Sequence, residues 1–265
     1  MPAFVRVTLR HRGQTLHGWQ LGEVAPPDGG GDAPGAPGPA LLVHGFGSTD
    51  TGGQQLFVQT ARTLAERGVG VRSYSRLGHG TSDGDFTDIT ISDEVDQVSS
   101  MIRTLATDAG RPVHVVSHSL GAVESAIAAS RVPDLVATLT LWSPAGVVVD
   151  DIARDDEIQG RPLAPAREHG WFDFGGMALG TAFIDEVTSG LDVYASIAAY
   201  TGPAEVLHGT ADQIVPLEYG QRYGDLLPGA TFTAVEDGDH GWSSVPLRRV
   251  LLDHLVAFVA APGRR

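Results

Sequence analysis

The sequence predicts an α/β chain with a mostly parallel central sheet, helices on both faces and a cap inserted after the sixth strand. Three observations predict it. Short apolar runs alternate with helical periods along most of the chain, a small-residue turn holding a serine lies between a strand and a helix, and two late strand ends carry an aspartate and a histidine. Strands that are apolar throughout are buried on both faces, as parallel sheets are.

Taken in order, residues 3–10 and 14–22 read as a hairpin turning at Arg12-Gly13. The stretch Pro26–Pro39 (PPDGGGDAPGAPGP) has almost no side chains able to pack and reads as an exposed loop. Ala40–His44 is a strand, Gln54–Arg67 a helix and Gly70–Tyr74 a strand. Ile91–Thr107 is a helix with Ser92 as N-cap and Val95, Val98, Ile102 and Leu105 on one face. Val113–Ser117 (strand), Leu120–Ser130 (helix) and Leu135–Trp142 (strand) follow. Ala204–His208, Leu217–Leu227, Thr231–Val235 and Leu247–Val259 then alternate strand and helix. The whole chain, 1–265, reads as one domain, with a cap insertion over about 146–201. Insertions at the carboxyl ends of parallel strands lie over the ligand crevice.

Composition bounds the function. Of 265 residues, 42% are hydrophobic and 19% charged, an ordinary globular balance. A net charge of -14 argues against nucleic acid and anionic lipid as partners. With no cysteine, thiol catalysis, disulfides and thiolate metal sites are excluded. The first twelve residues lack the apolar core of a signal peptide, and no apolar run nears the roughly 18 residues of a spanning helix. A cytoplasmic protein, a monomer or homodimer, is the expectation. All 18 non-histidine cations are arginine, and alanine, glycine and proline abound, which suggests a GC-rich bacterial genome.

The chemistry starts at Ser117-His118-Ser119-Leu120-Gly121, a variant of G-x-S-x-G with serine in first place. A nucleophile on so sharp a strand-to-helix turn needs small neighbours, and the helix N-terminus lends positive charge to a developing oxyanion. Ser119 is the candidate nucleophile. His240, in the loop after Thr231–Val235, is the candidate base, and Asp212, in the loop after Ala204–His208, the candidate acid; adjacent parallel strands bring these loops together. Asp237 and Asp239 lie too near His240 in sequence and read as turn residues. His118, His208 and His114 read as structural, and Glu124 as lying on a solvated helix face. His44-Gly45-Phe46-Gly47, after a buried strand, resembles an oxyanion loop, so the N–H groups of Phe46 and Leu120 are the candidate donors. The glycine-rich Arg76–Gly84 lacks the lysine of a phosphate loop and reads as a tight turn beside the site.

HGFG, RLGHGTSDGDFTDITI, SHSLG, HGTADQIVP and GDHGW, in this order and spacing, resemble the small bacterial esterases of the α/β-hydrolase superfamily that include the cinnamoyl (feruloyl) esterases. Leu179–Phe183, Leu191–Tyr194 and Tyr200–Pro203 at the end of the cap look like that group too, and the resemblance covers nearly everything after residue 40. It implies a carboxylesterase without metal or cofactor, acting on small aryl-acyl or short acyl esters, with the cap touching the acyl group. Ser117 departs from the usual glycine, and Leu120 stands where glutamine is common. Trp142, Trp171, Phe172 and Phe183 are the candidate pocket residues; the competing reading is that the cap aromatics only pack the cap. The same three residues would also serve a thioesterase, an acyltransferase or cyclase, an amidase or a C–C hydrolase. A ligand-binding protein on a hydrolase scaffold is the non-enzymatic alternative.

Overall fold

In the computed structural model, which describes residues 2–24 and 38–260, strands β1 (Phe4–His11) and β2 (Gln14–Leu21) form the opening hairpin. Its two-residue turn has φ of 47° at Arg12 and 88° at Gly13, the left-handed pair that matches strand twist. The Pro/Gly stretch expected as a loop falls, except for residues 38–39, outside the described residues. Then follow β3 (Ala40–Val43), α1 (Leu56–Ala65), β4 (Val71–Tyr74), α2 (Ile91–Ala109), β5 (Val113–His118), α3 (Leu120–Arg131) and β6 (Val136–Trp142). The insertion comes next, as expected, after the sixth strand: α4 (Val147–Ala153), β7 (Glu157–Ile158), β8 (Arg161–Pro162), α5 (Ala164–His169), β9 (Trp171–Phe174), β10 (Met177–Gly180) and α6 (Thr181–Thr188). The chain closes with β11 (Ala204–Gly209), α7 (Leu217–Leu226), β12 (Ala230–Val235) and α8 (Val245–Ala260).

Eight strands form one sheet in the order β1-β2-β4-β3-β5-β6-β11-β12. β2 runs antiparallel to β1 and β4, and every pair from β4 to β12 is parallel. From β3 the chain crosses first to β4 on one side and then to β5 on the other. That reversal opens a crevice at the carboxyl ends of β3 and β5, where ligands bind in open α/β sheets. His44 and Ser119 follow those two strand ends directly.

Alternation along the strands divides the core. Val115, Leu41 and Leu141 pack with α2, α3 and the insertion, while Val116, Leu42 and Leu207 pack with α1 and α8. On α2, Val95, Val98, Ile102 and Leu105 are all buried. Its N-cap is Thr90, whose hydroxyl accepts from Asp93 N–H at 3.2 Å, and not Ser92. Ser92 is already helical, because the chain becomes extended only at Thr90. Glu186 of α6 accepts from the N–H groups of Ile91 (2.7 Å) and Ser92 (3.1 Å), so a cap carboxylate satisfies orphan donors at the start of α2. Tyr219 of α7 bonds to Asp150 of α4, fastening the cap at a second point. Among the described residues no helix is long and apolar enough to cross a membrane.

His114 on β5 is buried against Thr138, with its Nδ1 2.9 Å from Thr138 Oγ1. Burial lowers its pKa to about 4. The unfolded chain therefore takes up a proton below pH 6.5 that the folded chain accepts only near pH 4, and stability is lost as pH falls through that window. Denaturant melts should show His114→Gln losing roughly 3 kcal/mol less than the wild type between pH 7 and pH 4; equal losses would show that the ring carries no such penalty.

Candidate active site

The end of β5 turns into α3 within one residue. Ser119 has φ 58° and ψ −127°, a region sparsely populated by side-chain-bearing residues. The turn is held by Ser119 N–H donating to the carbonyl of Trp142 (2.9 Å) and by its own carbonyl accepting from Ala122 N–H (3.0 Å) and Ala145 N–H (3.2 Å). Gly121 is required by contact: a Cβ there would lie 2.1 Å from the His44 carbonyl oxygen. At Ser117, where glycine is usual, the hydroxyl is fully buried and donates to the Thr140 carbonyl at 3.2 Å. The extra atoms are accommodated because the neighbouring strand offers an acceptor.

Ser119 Oγ lies 2.9 Å from His240 Nε2, and His240 Nδ1 lies 2.8 Å from Asp212 Oδ2. An ionised carboxylate only accepts, so Nδ1 carries the imidazole proton and Nε2 is free to accept from the serine hydroxyl. Asp212 is held in place by accepting from Ile214 N–H (2.9 Å) and Val215 N–H (2.8 Å) at its other oxygen. Burial pushes its carboxyl up, but hydrogen bonds from His208, His240 and Val215 outweigh that and hold it well below the usual carboxylate range. His208, read from the sequence as structural, lies near the end of β11. Its Nε2 donates to the Val215 carbonyl (2.9 Å) and sits 3.3 Å from Asp212 Oδ2, bracing the loop that carries the acid. His118 reaches the other loop, with Nε2 donating to the His240 main-chain carbonyl at 2.7 Å. The ring is kept neutral by burial and then by the facing His240.

The loop after β3 passes directly beside the elbow. A Cβ on Gly45 would come within 2.8 Å of Ser119 Cβ, so only glycine lets this backbone approach. Phe46 and Leu120 both border the cleft beside Ser119. Among the described residues no protein acceptor takes the N–H of either. His44 holds the loop's shape: Nδ1–H donates to the Gly45 carbonyl (2.8 Å), and Nε2 accepts from Arg76 N–H (3.0 Å). Burial, then the nearby Arg76 charge, keeps this imidazole neutral.

The sequence profile of the alpha/beta hydrolase family matches residues 40–252. The chain belongs to the alpha/beta hydrolase family. Its fold is that of Est1E from Butyrivibrio proteoclasticus, a structure solved with ferulic acid bound; TM-score is 0.80, identity 21%, and 96% of this chain and 99% of that one are covered. Two curated relatives match over shorter stretches. A 2-(acetamidomethylene)succinate hydrolase of Mesorhizobium japonicum is 35% identical over 96 residues, and a monoglyceride lipase homolog of Monkeypox virus is 30% identical over 107. These stretches cover 36% and 40% of this chain but only 32% and 38% of the relatives' own lengths. The resemblance to the feruloyl esterase group thus holds at the level of the fold.

A cleft opens over Ser119, roofed by the cap. Its walls are Phe46 and Leu120 below, Val147, Val148 and Ile152 of α4, Ile158 of β7 and Phe183 of α6. Of the four aromatic residues expected there, Phe183 alone lines it. Trp142 follows Leu141 on β6, so alternation turns its ring to the opposite side of the sheet, where it packs with Trp242 in the α1/α8 core. Trp171 projects outward from β9 and is 44% exposed. Phe172, its neighbour on the other face of β9, is buried in the cap under the Arg161 guanidinium, 4.7 Å from the ring centroid. Phe172 thus packs the cap, whereas Trp171 lies on its surface. The residues missed were Val147, Val148, Asp151 and Ile152. Their i, i+1, i+4, i+5 spacing directly after β6 marks one face of a helix, a signal the sequence does carry. Asp151 and Gln159 are the polar members of this cap wall, and burial pushes the Asp151 carboxyl up.

Two substitutions at the elbow should both destabilise the fold, but to very different extents. Ser117→Gly should lower the unfolding free energy by about 1 kcal/mol, through one lost hydrogen bond and a looser strand, and leave the geometry intact. Gly121→Ala should cost at least ~3 kcal/mol or prevent folding, because the two backbones cannot separate without moving β3. Thermal melts of both variants test this; a wild-type Gly121→Ala would refute the close approach.

Proposed function

We propose that the protein hydrolyses a carboxylic ester through an acyl-enzyme on Ser119. The observation that carries the reading is the unbroken series Ser119 Oγ, His240 and Asp212, with contacts of 2.9 and 2.8 Å, at the floor of an apolar cleft. His240 Nε2 takes the hydroxyl proton as Oγ attacks the ester carbonyl carbon. The carbonyl oxygen becomes an oxyanion facing the Phe46 and Leu120 N–H groups. Collapse of the tetrahedral species expels the alcohol, which receives the proton from His240. A water then enters, gives its proton to the same nitrogen and attacks the acyl carbon; the acid leaves as Oγ recovers the proton. Asp212 keeps the imidazole in the one tautomer that can do this and stabilises the imidazolium.

The cleft suits an acyl group that is mainly apolar and small. Val147, Val148, Ile152, Ile158 and Phe183 supply apolar walls, and Asp151 with Gln159 supplies a polar spot for one hydroxyl or similar group. Ferulic acid, seen in the related Est1E structure, makes hydroxyaryl-acyl esters the first class to test. The same three groups would cleave a thioester, so a panel of matched oxygen and thiol esters separates the two. A purely ligand-binding role would not need the serine, imidazole and carboxylate in register.

With p-nitrophenyl esters and methyl ferulate, kcat/KM for Ser119→Ala should fall on the order of 10⁴-fold or more with the fold unchanged. Equal rates in wild type and variant would end the proposal. Asp151→Leu should raise KM for hydroxyaryl esters about tenfold, the equivalent of one lost hydrogen bond, while unsubstituted acyl esters change little.

A further inference from the structure

Beneath the loop that carries Phe46 lies a group of charges with no exposure at all. Arg76, Glu94 of α2 and Glu124 of α3 are each 0% exposed, and His79 is 3% exposed beside them. Arg76 Nε donates to Glu94 Oε1 at 2.7 Å and lies 3.4 Å from Glu124 Oε2. The far end of the same guanidinium donates to the carbonyls of His44 (2.5 Å) and Gly45 (3.4 Å), the two residues before Phe46. His79 Nδ1, which bonds the Leu77 carbonyl, is 3.7 Å from Glu94. His79 and His44 are kept neutral by burial first of all. Glu186, also facing this region from α6, is occupied with the start of α2.

One cation thus meets two carboxyl groups in a dry site. Two carboxylates there would leave an unpaired buried charge, which is too costly to persist. Among the described residues neither Glu124 oxygen accepts a well-aligned hydrogen bond from a protein donor, and the Glu94 Oε2 atom accepts none either. Both carboxyl groups lie against the same Arg76 nitrogen, at 2.7 and 3.4 Å, which sets them side by side. A single proton between them balances the charge and makes that contact a hydrogen bond.

We propose that Arg76, paired with Glu94 and a protonated Glu124, is the positioning group for the oxyanion loop, setting the place of the Phe46 N–H from below. This rests on the reading of that N–H as an oxyanion donor. Arg76 is a positioning residue: it bonds two carbonyls of the loop and lies under it, outside the cleft wall. The proton belongs to the geometry, because an ionised Glu124 would compete with the loop carbonyls for the guanidinium.

The test has two arms on the full-length enzyme. Infrared difference spectra should show a protonated-carboxyl band in the wild type at neutral pH that vanishes in Glu124→Gln; its absence from the wild type overturns the shared proton. The second arm measures the rate at which a fluorophosphonate probe labels Ser119, which builds negative charge on the phosphoryl oxygen and needs no ester substrate. Arg76→Lys keeps the charge but loses the fork, and should label about thirtyfold more slowly and lose kcat in parallel, with KM within threefold. Glu124→Gln, neutral like the protonated acid, should stay within twofold. If Arg76→Lys does not fold, Glu94→Gln, which removes the shortest anchor of the guanidinium, should label at least fivefold more slowly at an unchanged melting temperature. Labelling at the wild-type rate in a folded Arg76→Lys or Glu94→Gln overturns the positioning role. An enzyme inert to every ester yet labelled in this pattern would count against ester hydrolysis alone.

Discussion

The carbonyl of His44 and the α-carbon of Gly121 lie so close that no side chain fits between them, and the site is built around that approach. It brings the end of β3 and the start of α3 into contact at the point where the sheet reverses its winding. Two segments that are 70-odd residues apart in sequence become one surface, with a serine hydroxyl and two free amide groups on it. Everything else at the site adjusts a group relative to this surface. The loops after β11 and β12 bring Asp212 and His240 to it from one side, and α4 and α6 cover it from above.

Polar groups near this contact are arranged in tiers. His240 is braced by His118 at its main chain and by Asp212 at its ring, and Asp212 is braced in turn by His208 and two backbone amides. Two histidines and one carboxylate therefore support a single imidazole. Such supports matter because a site must be held within a fraction of an ångström to act. On the other side, the charged Arg76 group carries the loop of Phe46, and it is buried where water cannot relax it.

What was legible in the sequence follows from what physics makes compulsory. A turn with a nucleophile at its apex forces small residues at fixed offsets, so Ser117–Gly121 could be read directly. The chain order of Asp212 and His240 could be read because parallel strands deliver their C-terminal loops to one edge. The cap was not legible for the opposite reason. β7 and β8 have two residues each, too few for any period, and form only because neighbouring segments present partners. Yet Phe-Gly-Gly-Met between β9 and β10 is a two-residue hairpin signal, with φ of 61° and 88° at Gly175 and Gly176, and it could have been found. Glu124 was misplaced because acids are usually solvated. Every residue from Leu120 to Ala129 is buried, and a helix apolar all round is a core helix whose one acid must go inside with it.

The backbone at Ser119 has a consequence for how this protein can change. Holding a serine at φ 58° and ψ −127° is of order 1–3 kcal/mol uphill, and glycine would relieve most of that. With Ser119 as the proposed nucleophile, position 119 is where selection for heat tolerance and selection for turnover pull apart. A library screened only for survival at high temperature would drift toward glycine there and yield robust, silent proteins. The strain marks the serine as something kept against the stability of the fold.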